Sequence, residues 1–294
     1  MTGAFDSVVM AGGGSRCLWH VGFWQEAAQR LALAPQQIAC VSASSAMACA
    51  LVAGKGEEAL RLFKAATSRN PRNIYLRNIV GAEPVFPHER MYRAAILEVI
   101  DAAALARVHA GPDVRVLLGR IPTWLGPRTG LVAAAVAYNY DKRVRRHVHP
   151  TLPLMLGFKP EVVSVRACAT PEELTDLILA SSCTPPMTRL QKWNGAYSLD
   201  GGVVDNVPVC ALAGEARETL ILLSRQYVRT PNIPGRTYVQ PSQPVPITTW
   251  DYANPAALQA TFDLGRRDGE TFAQALKRGK HGQDRAERVD SVRA

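Results

Sequence analysis

Three short blocks of this sequence hold the residue types that nucleophilic acyl chemistry requires. The first, Ala11-Gly12-Gly13-Gly14-Ser15-Arg16, leaves the apolar run Ser7 to Met10 and precedes Leu18, Val21, Gly22, Trp24, Ala28 and Leu31 at helical spacing. A glycine turn that opens a helix can aim several backbone N–H groups at one anion, although any tight strand-to-helix connection also favours glycine. The second block, Val41-Ser42-Ala43-Ser44-Ser45-Ala46-Met47, follows the apolar run Ile38 to Val41 and starts another helix. Ser44, with small residues two positions before and two after, has the form of a strained nucleophile elbow. Serines at a helix start also act as caps, and Ser42 and Ser45 are rival nucleophiles. The third block is Tyr197-Ser198-Leu199-Asp200-Gly201-Gly202, followed by Val203-Val204-Asp205-Asn206-Val207-Pro208. Asp-Gly is a common hairpin turn. The two glycines would also let the backbone close around Asp200, leaving its carboxylate free to meet a serine as a Ser-Asp dyad.

Other chemistries fit less well. A dinucleotide fingerprint needs glycine where Cys17 stands and an acid where Ser42 stands, and there is no G-x-x-x-x-G-K-[ST] phosphate loop. The six cysteines, at positions 17, 40, 49, 168, 183 and 210, include no Cys-x-x-Cys pair and have no histidine at zinc-ligand spacing, so most are expected as buried thiols. A Ser-acid-His triad would have to use His281, the one histidine beyond Asp200, in a charged tail. Two strands before Ser44 are also too few for that elbow. His20, on the apolar side of the first helix, is expected as a packed residue with no catalytic role.

The elements that must position these blocks alternate between the two types. Helices are expected over Glu57 to Ser68, His88 to Ala110, Thr129 to Val148 and Ala256 to Lys277, with another opened by Thr170, Pro171 and Glu173 and running through Ala180. Further strands are expected at Val114 to Ile121, Glu161 to Ala169 and Leu220 to Ser224. Such alternation calls for a largely parallel sheet covered by helices, a three-layer α/β fold, because parallel neighbours need crossover connections. The Pro-rich stretch Arg225 to Trp250 reads as a long loop, and Gly279 to Ala294 as a frayed basic tail. Residues 1–225 are expected to form the catalytic domain, with the loop and last helix of 226–294 packing on that same domain.

The chain has 294 residues, of which 47% are hydrophobic and 20% charged, a balance that supports a sizeable core. No apolar run approaches the ~18 residues of a spanning helix; the longest are Ala46 to Ala53 and Leu131 to Tyr138. The first residues have no signal-peptide pattern, so a cytoplasmic location is expected. The net charge of +9 is uneven, with Lys142, Arg143, Arg145 and Arg146 crowded beside His147 and His149. That run either faces an anionic partner or complements a helix C-terminus.

The three blocks, in the order GGGSR (12–16), SASSA (42–46) and DGG (200–202), resemble the patatin-like phospholipases. Ala180-Ser181-Ser182 with Pro185 and Pro186, and Asp205-Asn206-Val207-Pro208, extend the resemblance over about the first 225 residues. It implies lipid acyl-ester hydrolysis through an acyl-enzyme, with Ser44 as nucleophile, Asp200 as its base, and backbone around Gly12, Gly13, Gly14 and Arg16 as the oxyanion hole. The family's G-x-S-x-G appears here as S-x-S-x-A, and Cys17 stands where glycine usually follows the arginine. The chemistry requires neither metal nor cofactor. A carboxylate of ordinary pKa, ~3.9, is a weak base at neutral pH, so Asp200 is expected in a partly desolvated site. The expected partners are a lipid or acyl-ester substrate and, peripherally, an anionic membrane surface, but no nucleic acid. Trp124-Leu125 beside Arg120 and Arg128, or the basic run from Lys142 to Arg146, would make the membrane contact. The rival readings are a catalytically impaired lipid-binding or regulatory module, and an acyltransferase using the same serine.

Overall fold

Short apolar runs become the buried strands of a sheet, and the amphipathic segments between them cover it. The computed structural model describes residues 5–81, 83–140, 148–149, 152–214 and 218–291, the last of these by backbone alone from 279 onward. In chain order, β1 (Ser7–Met10) turns through the glycines into α1 (Leu18–Leu31), and β2 (Gln37–Val41) runs directly into α2 (Ala43–Val52). Then come α3 (Gly56–Ser68), α4 (His88–Val99), α5 (Ala102–Ala110) and β3 (Asp113–Arg120). After α6 (Pro127–Tyr140) and the single turn α7 (Leu152–Met155), β4 (Lys159–Ser164) leads to α8 (Pro171–Ser181) and the hairpin of β5 (Gln191–Trp193) and β6 (Ala196–Asp200). β7 (Thr219–Leu222), β8 (Arg236–Val239) and α9 (Pro255–Ser291) complete the chain.

The result is the open, mostly parallel sheet flanked by helices that the alternation of elements calls for. Strands β3, β2, β1, β7 and β8 are neighbours in that order and all parallel, while β4 and β6 pair antiparallel with β3. Successive strand residues supply opposite faces. Val8, Met10, Ile38, Cys40, Leu220 and Leu222 pack into one core with residues of α1, α2, α4, α8 and α9. Val9, Ala39, Val41 and Ile221 pack into a second core with Ala134 of α6 and the segment around Val204 and Val207. α9 lies so close along α1 that a Cβ on Gly22 would fall 2.0 Å from the Phe262 carbonyl oxygen. Only glycine admits that approach.

One feature of the register positions the site. Leu117 pairs with both Val41 of β2 and Val162 of β4, whereas Leu118 pairs with both Glu161 of β4 and Asp200 of β6. A strand has two edges, so β4 takes one edge of β3 while β2 and β6 share the other end to end. Asp200 therefore sits just beyond the end of β2, where the chain turns into α2.

Several boundaries differ from the sequence expectation. The helix expected over His88 to Ala110 is two helices, because the Asp101 side chain accepts the Ala104 N–H and caps a new one. The strand expected to reach Ala169 stops at Ser164, whose hydroxyl caps a short 3-10 turn. β8 lies within the stretch expected as loop, and α9 continues past Lys277 to Ser291. The hairpin turn is Asn194-Gly195, both at positive φ, and not Asp200-Gly201. Within the described residues α6 ends at Tyr140, and the basic run Lys142 to Arg146, with His147, lies outside them. Among the described residues, no helix is long and apolar enough to cross a membrane.

Candidate active site

The junction of β2 and α2 is the most strained point of the second block. Ser42 lies at φ 56°, ψ −136°, a conformation that costs a non-glycine residue on the order of 1–3 kcal/mol. The Ser181 hydroxyl helps to hold it there. That buried group accepts the Ser42 N–H at 2.8 Å and donates to the Leu117 carbonyl at 2.7 Å, tying the turn to α8 and to β3 at once. Ser181→Ala should leave the Ser42 N–H without its partner, reducing kcat about tenfold or more with little change in KM. Stability should fall by about 1–3 kcal/mol in a denaturant titration. A fall in stability with unchanged kcat would give Ser181 a purely structural role.

The held turn aims the Ser42 hydroxyl at the acid. Its Oγ donates to Asp200 Oδ2 at 2.6 Å, the Thr184 hydroxyl reaches the same oxygen at 3.3 Å, and the Gly202 N–H donates to Oδ1 at 2.7 Å. The Asp200 N–H is fixed by the Cys183 carbonyl at 2.8 Å. Both glycines after Asp200 are steric requirements. A Cβ at Gly201 would lie 2.2 Å from the Leu117 carbonyl oxygen, and one at Gly202 would crowd Asn206 and Asp200. Burial raises the Asp200 carboxyl from 3.8 to about 6, against the pull of the Ser42, Gly202 and Thr184 hydrogen bonds.

Ser44 stands elsewhere. It is fully buried, its Oγ is 2.8 Å from the carbonyl oxygens of both Met10 and Val41, and it accepts the Val41 N–H at 3.0 Å. The expected pairing of Ser44 with Asp200 is therefore corrected to Ser42 with Asp200, a shift of two positions. The strained turn lies where the strand ends, at the residue after Val41. Its flanking small positions are Cys40 and Ser44, in place of Ser42 and Ala46. Ser45 is also buried, its hydroxyl beside the Cys40 thiol.

The glycine turn crosses the same site. Gly14 has φ 59°, and a Cβ there would lie 2.1 Å from the Thr249 carbonyl oxygen. Two of the four backbone positions expected as oxyanion donors are already engaged. The Gly12 N–H donates to the Asn206 carbonyl at 3.0 Å, and the Arg16 N–H to the Gly13 carbonyl at 3.3 Å. Among the described residues, no acceptor takes the N–H groups of Gly13 and Gly14. Asn206 also donates its amide to the Gly12 carbonyl at 3.1 Å, as the Ser224 hydroxyl does at 2.5 Å, which keeps the turn rigid. The Cys17 thiol packs beneath it against the Ala11 carbonyl, and burial raises it to about 12, so it is a neutral filler.

Ser42, Asp200, Gly13 and Gly14 line one partly open cavity of about 300 Å³, together with residues of α6, Arg16, Thr184, and Thr249 with Trp250. The Arg16 Nε donates to the Gly13 carbonyl at 3.2 Å. A narrow apolar cleft, lined by Leu18, Ala46, Met47, Phe63, Tyr92 and Ile96, shares Gly14 with it and includes Ala43, the residue after Ser42. His20 lies apart. It is wholly buried beside Trp19, and burial holds it down to about 3, which keeps the ring neutral. Among the described residues, no group of three or more His, Cys, Asp and Glu side chains could hold a metal ion. Thr249 and Trp250 carry no signal of their own in the sequence. Ser181 stands in a block that supports the family resemblance, yet its role appears only with its two hydrogen bonds.

Comparison with known proteins gives two findings. The family model described as Patatin-like phospholipase matches residues 8–213, most of the chain. A similar solved structure is that of VipD from Legionella pneumophila, 10% identical, with a TM-score of 0.47 over 92% of this chain and 67% of that one. No curated protein matches the chain by sequence.

Proposed function

This chain belongs to the patatin-like phospholipase family, a membership that supports lipid acyl hydrolysis in general; from that premise we propose a serine hydrolase of lipid carboxylic esters in which Ser42 is the nucleophile and Asp200 its base. The observation that carries this reading is the 2.6 Å hydrogen bond from the Ser42 hydroxyl, at a strained strand-to-helix turn, to a carboxylate raised to about 6. Such a base is ionised at neutral pH, yet basic enough to take the hydroxyl proton as Oγ attacks the ester carbonyl.

The carbonyl oxygen becomes an oxyanion in that step. The Gly13 and Gly14 N–H groups, with the Ala43 N–H at the start of α2, are the donors suited to it, and preorganised donors of this kind usually make the largest contribution to lowering the barrier. The proton held by Asp200 Oδ2 passes to the leaving alkoxide, so the alcohol departs and an ester on Ser42 Oγ remains. Asp200 then takes a proton from water, whose oxygen attacks this ester; as the bond from the acyl carbon to Oγ breaks, Asp200 returns that proton to Ser42 Oγ, which releases the fatty acid and regenerates both groups. The apolar cleft beside Ala43 suits the start of an acyl chain. The Arg16 side chain on the cavity wall suits an anionic head group.

An active-site-directed fluorophosphonate tests this reading. Covalent capture is expected at Ser42, absent in Ser42→Ala and retained in Ser44→Ala, as read by mass spectrometry of the labelled peptide. Folded protein that takes no label would favour a lipid-binding module without catalysis.

A further inference from the structure

The helix that walls the cavity has a second face. Leu131, Ala134, Ala135 and Tyr138 of α6 line the cavity holding Ser42 and Asp200. Val132, Val136 and Tyr140, one turn apart, point outward and are 63%, 66% and 47% exposed. Trp124 and Met155 are more exposed still, at 73% and 75%, with Leu154 and Leu156 beside Met155. The elements that carry them are neighbours: α7 packs on α6, and a Cβ on Gly157 would lie 3.7 Å from the Trp124 indole nitrogen. Large apolar side chains gathered in this way mark a surface that is covered in use.

Charge selects the occupant. Residues 121–140 contain one charged side chain, Arg128, and residues 152–158 contain none, with Lys159 following. Arg128 and Lys159 are both exposed. Arg120, expected from the sequence beside Trp124 at a membrane contact, is committed to structure: its guanidinium binds Glu161, the Ser198 hydroxyl at 2.7 Å, and the carbonyls of Trp193 and Ala196. An apolar face with a tryptophan, edged by cations and, among its described residues, free of carboxylates, matches the interfacial zone of an anionic bilayer. A second copy docked through this same face would set cation against cation at that edge.

We propose that the outward face of α6, with Trp124 and the α7 turn, seats the protein on an anionic lipid bilayer. Resting on the hydrolase reading above, this sets one helix between the membrane and the cavity, so that the cavity wall is also the docking surface. The test uses the full chain and vesicles of phosphatidylcholine with phosphatidylglycerol. Val132→Asp with Val136→Asp should weaken cosedimentation by at least about tenfold. Turnover of a soluble butyrate ester should stay within about twofold, because neither side chain lines the cavity. Trp124→Ser with Met155→Ser should reproduce this result from outside α6. Wild-type vesicle binding by both double variants would overturn the proposal. So would a dimer that becomes monomeric in the variants while vesicle binding persists, since the face would then join two copies. Ser42→Ala should bind vesicles like wild type; if it still hydrolyses the soluble ester, the dyad fails while the docking result stands.

Discussion

Ser42→Ala should lower turnover of a soluble ester by on the order of 10⁴-fold or more, the usual consequence of removing a serine nucleophile. Ser44→Ala should keep most of the activity and lose about 1–3 kcal/mol of stability, because its buried hydroxyl joins the Met10 and Val41 backbones. The contrast discriminates sharply between two serines only two positions apart. A third variant isolates the strain. Ser42→Gly should be as inactive as Ser42→Ala but about 1 kcal/mol more stable, since only glycine reaches φ 56° without penalty. Steady-state kinetics and denaturant titrations on the three proteins provide the check. Full turnover in Ser42→Ala would remove this residue from the mechanism.

The second large effect follows from the Asp200 carboxyl at about 6. The base must be ionised, so kcat/KM of the wild type for a soluble ester should fall about tenfold per pH unit below 6 and level off above it. Asp200→Asn should lose on the order of 10³-fold or more at pH 8 and lack this limb. Stability runs in the opposite sense. The folded-state pKa lies above that of the unfolded chain, so between about 4 and 6 the folded protein binds more protons, and the contribution of this group to stability declines as pH rises. Asp200→Asn should remove that decline, so its stability relative to wild type should rise from pH 4 to 6 and be constant above. A pH-independent difference in stability, with an unaltered activity limb in the variant, would assign the titration to another group.

How far the sequence reaches depends on whether a residue acts through its neighbours in the chain or through a distant segment. The strands β1, β2 and β7 are short apolar runs bounded by glycine or small polar residues, and their burial follows from local pattern. α8 announces itself through Thr170, whose hydroxyl accepts the Glu173 N–H at 3.2 Å while the Glu173 carboxylate accepts the Ala169 N–H at 2.7 Å. The break between α4 and α5 was also local, since Asp101 is an N-cap residue, but the continuous apolar pattern on either side masks it. β8 lies between prolines and is a strand only because β7 offers a free parallel edge.

The same division runs through the site. Composition and spacing alone determined that an open α/β sheet would carry a glycine turn, a serine at a strand-to-helix junction and an acid followed by two glycines, because each is a local backbone requirement. Which serine meets that acid was a tertiary matter. It depends on β2 and β6 sharing one edge of β3, so that Asp200 follows Val41 in space although 159 positions separate them in the chain. It depends also on Ser181, which fixes the backbone of Ser42 from α8. Hydrogen bonds between segments so far apart leave no periodicity in either one, and a side chain's direction at the end of a strand reverses with a one-residue change in register.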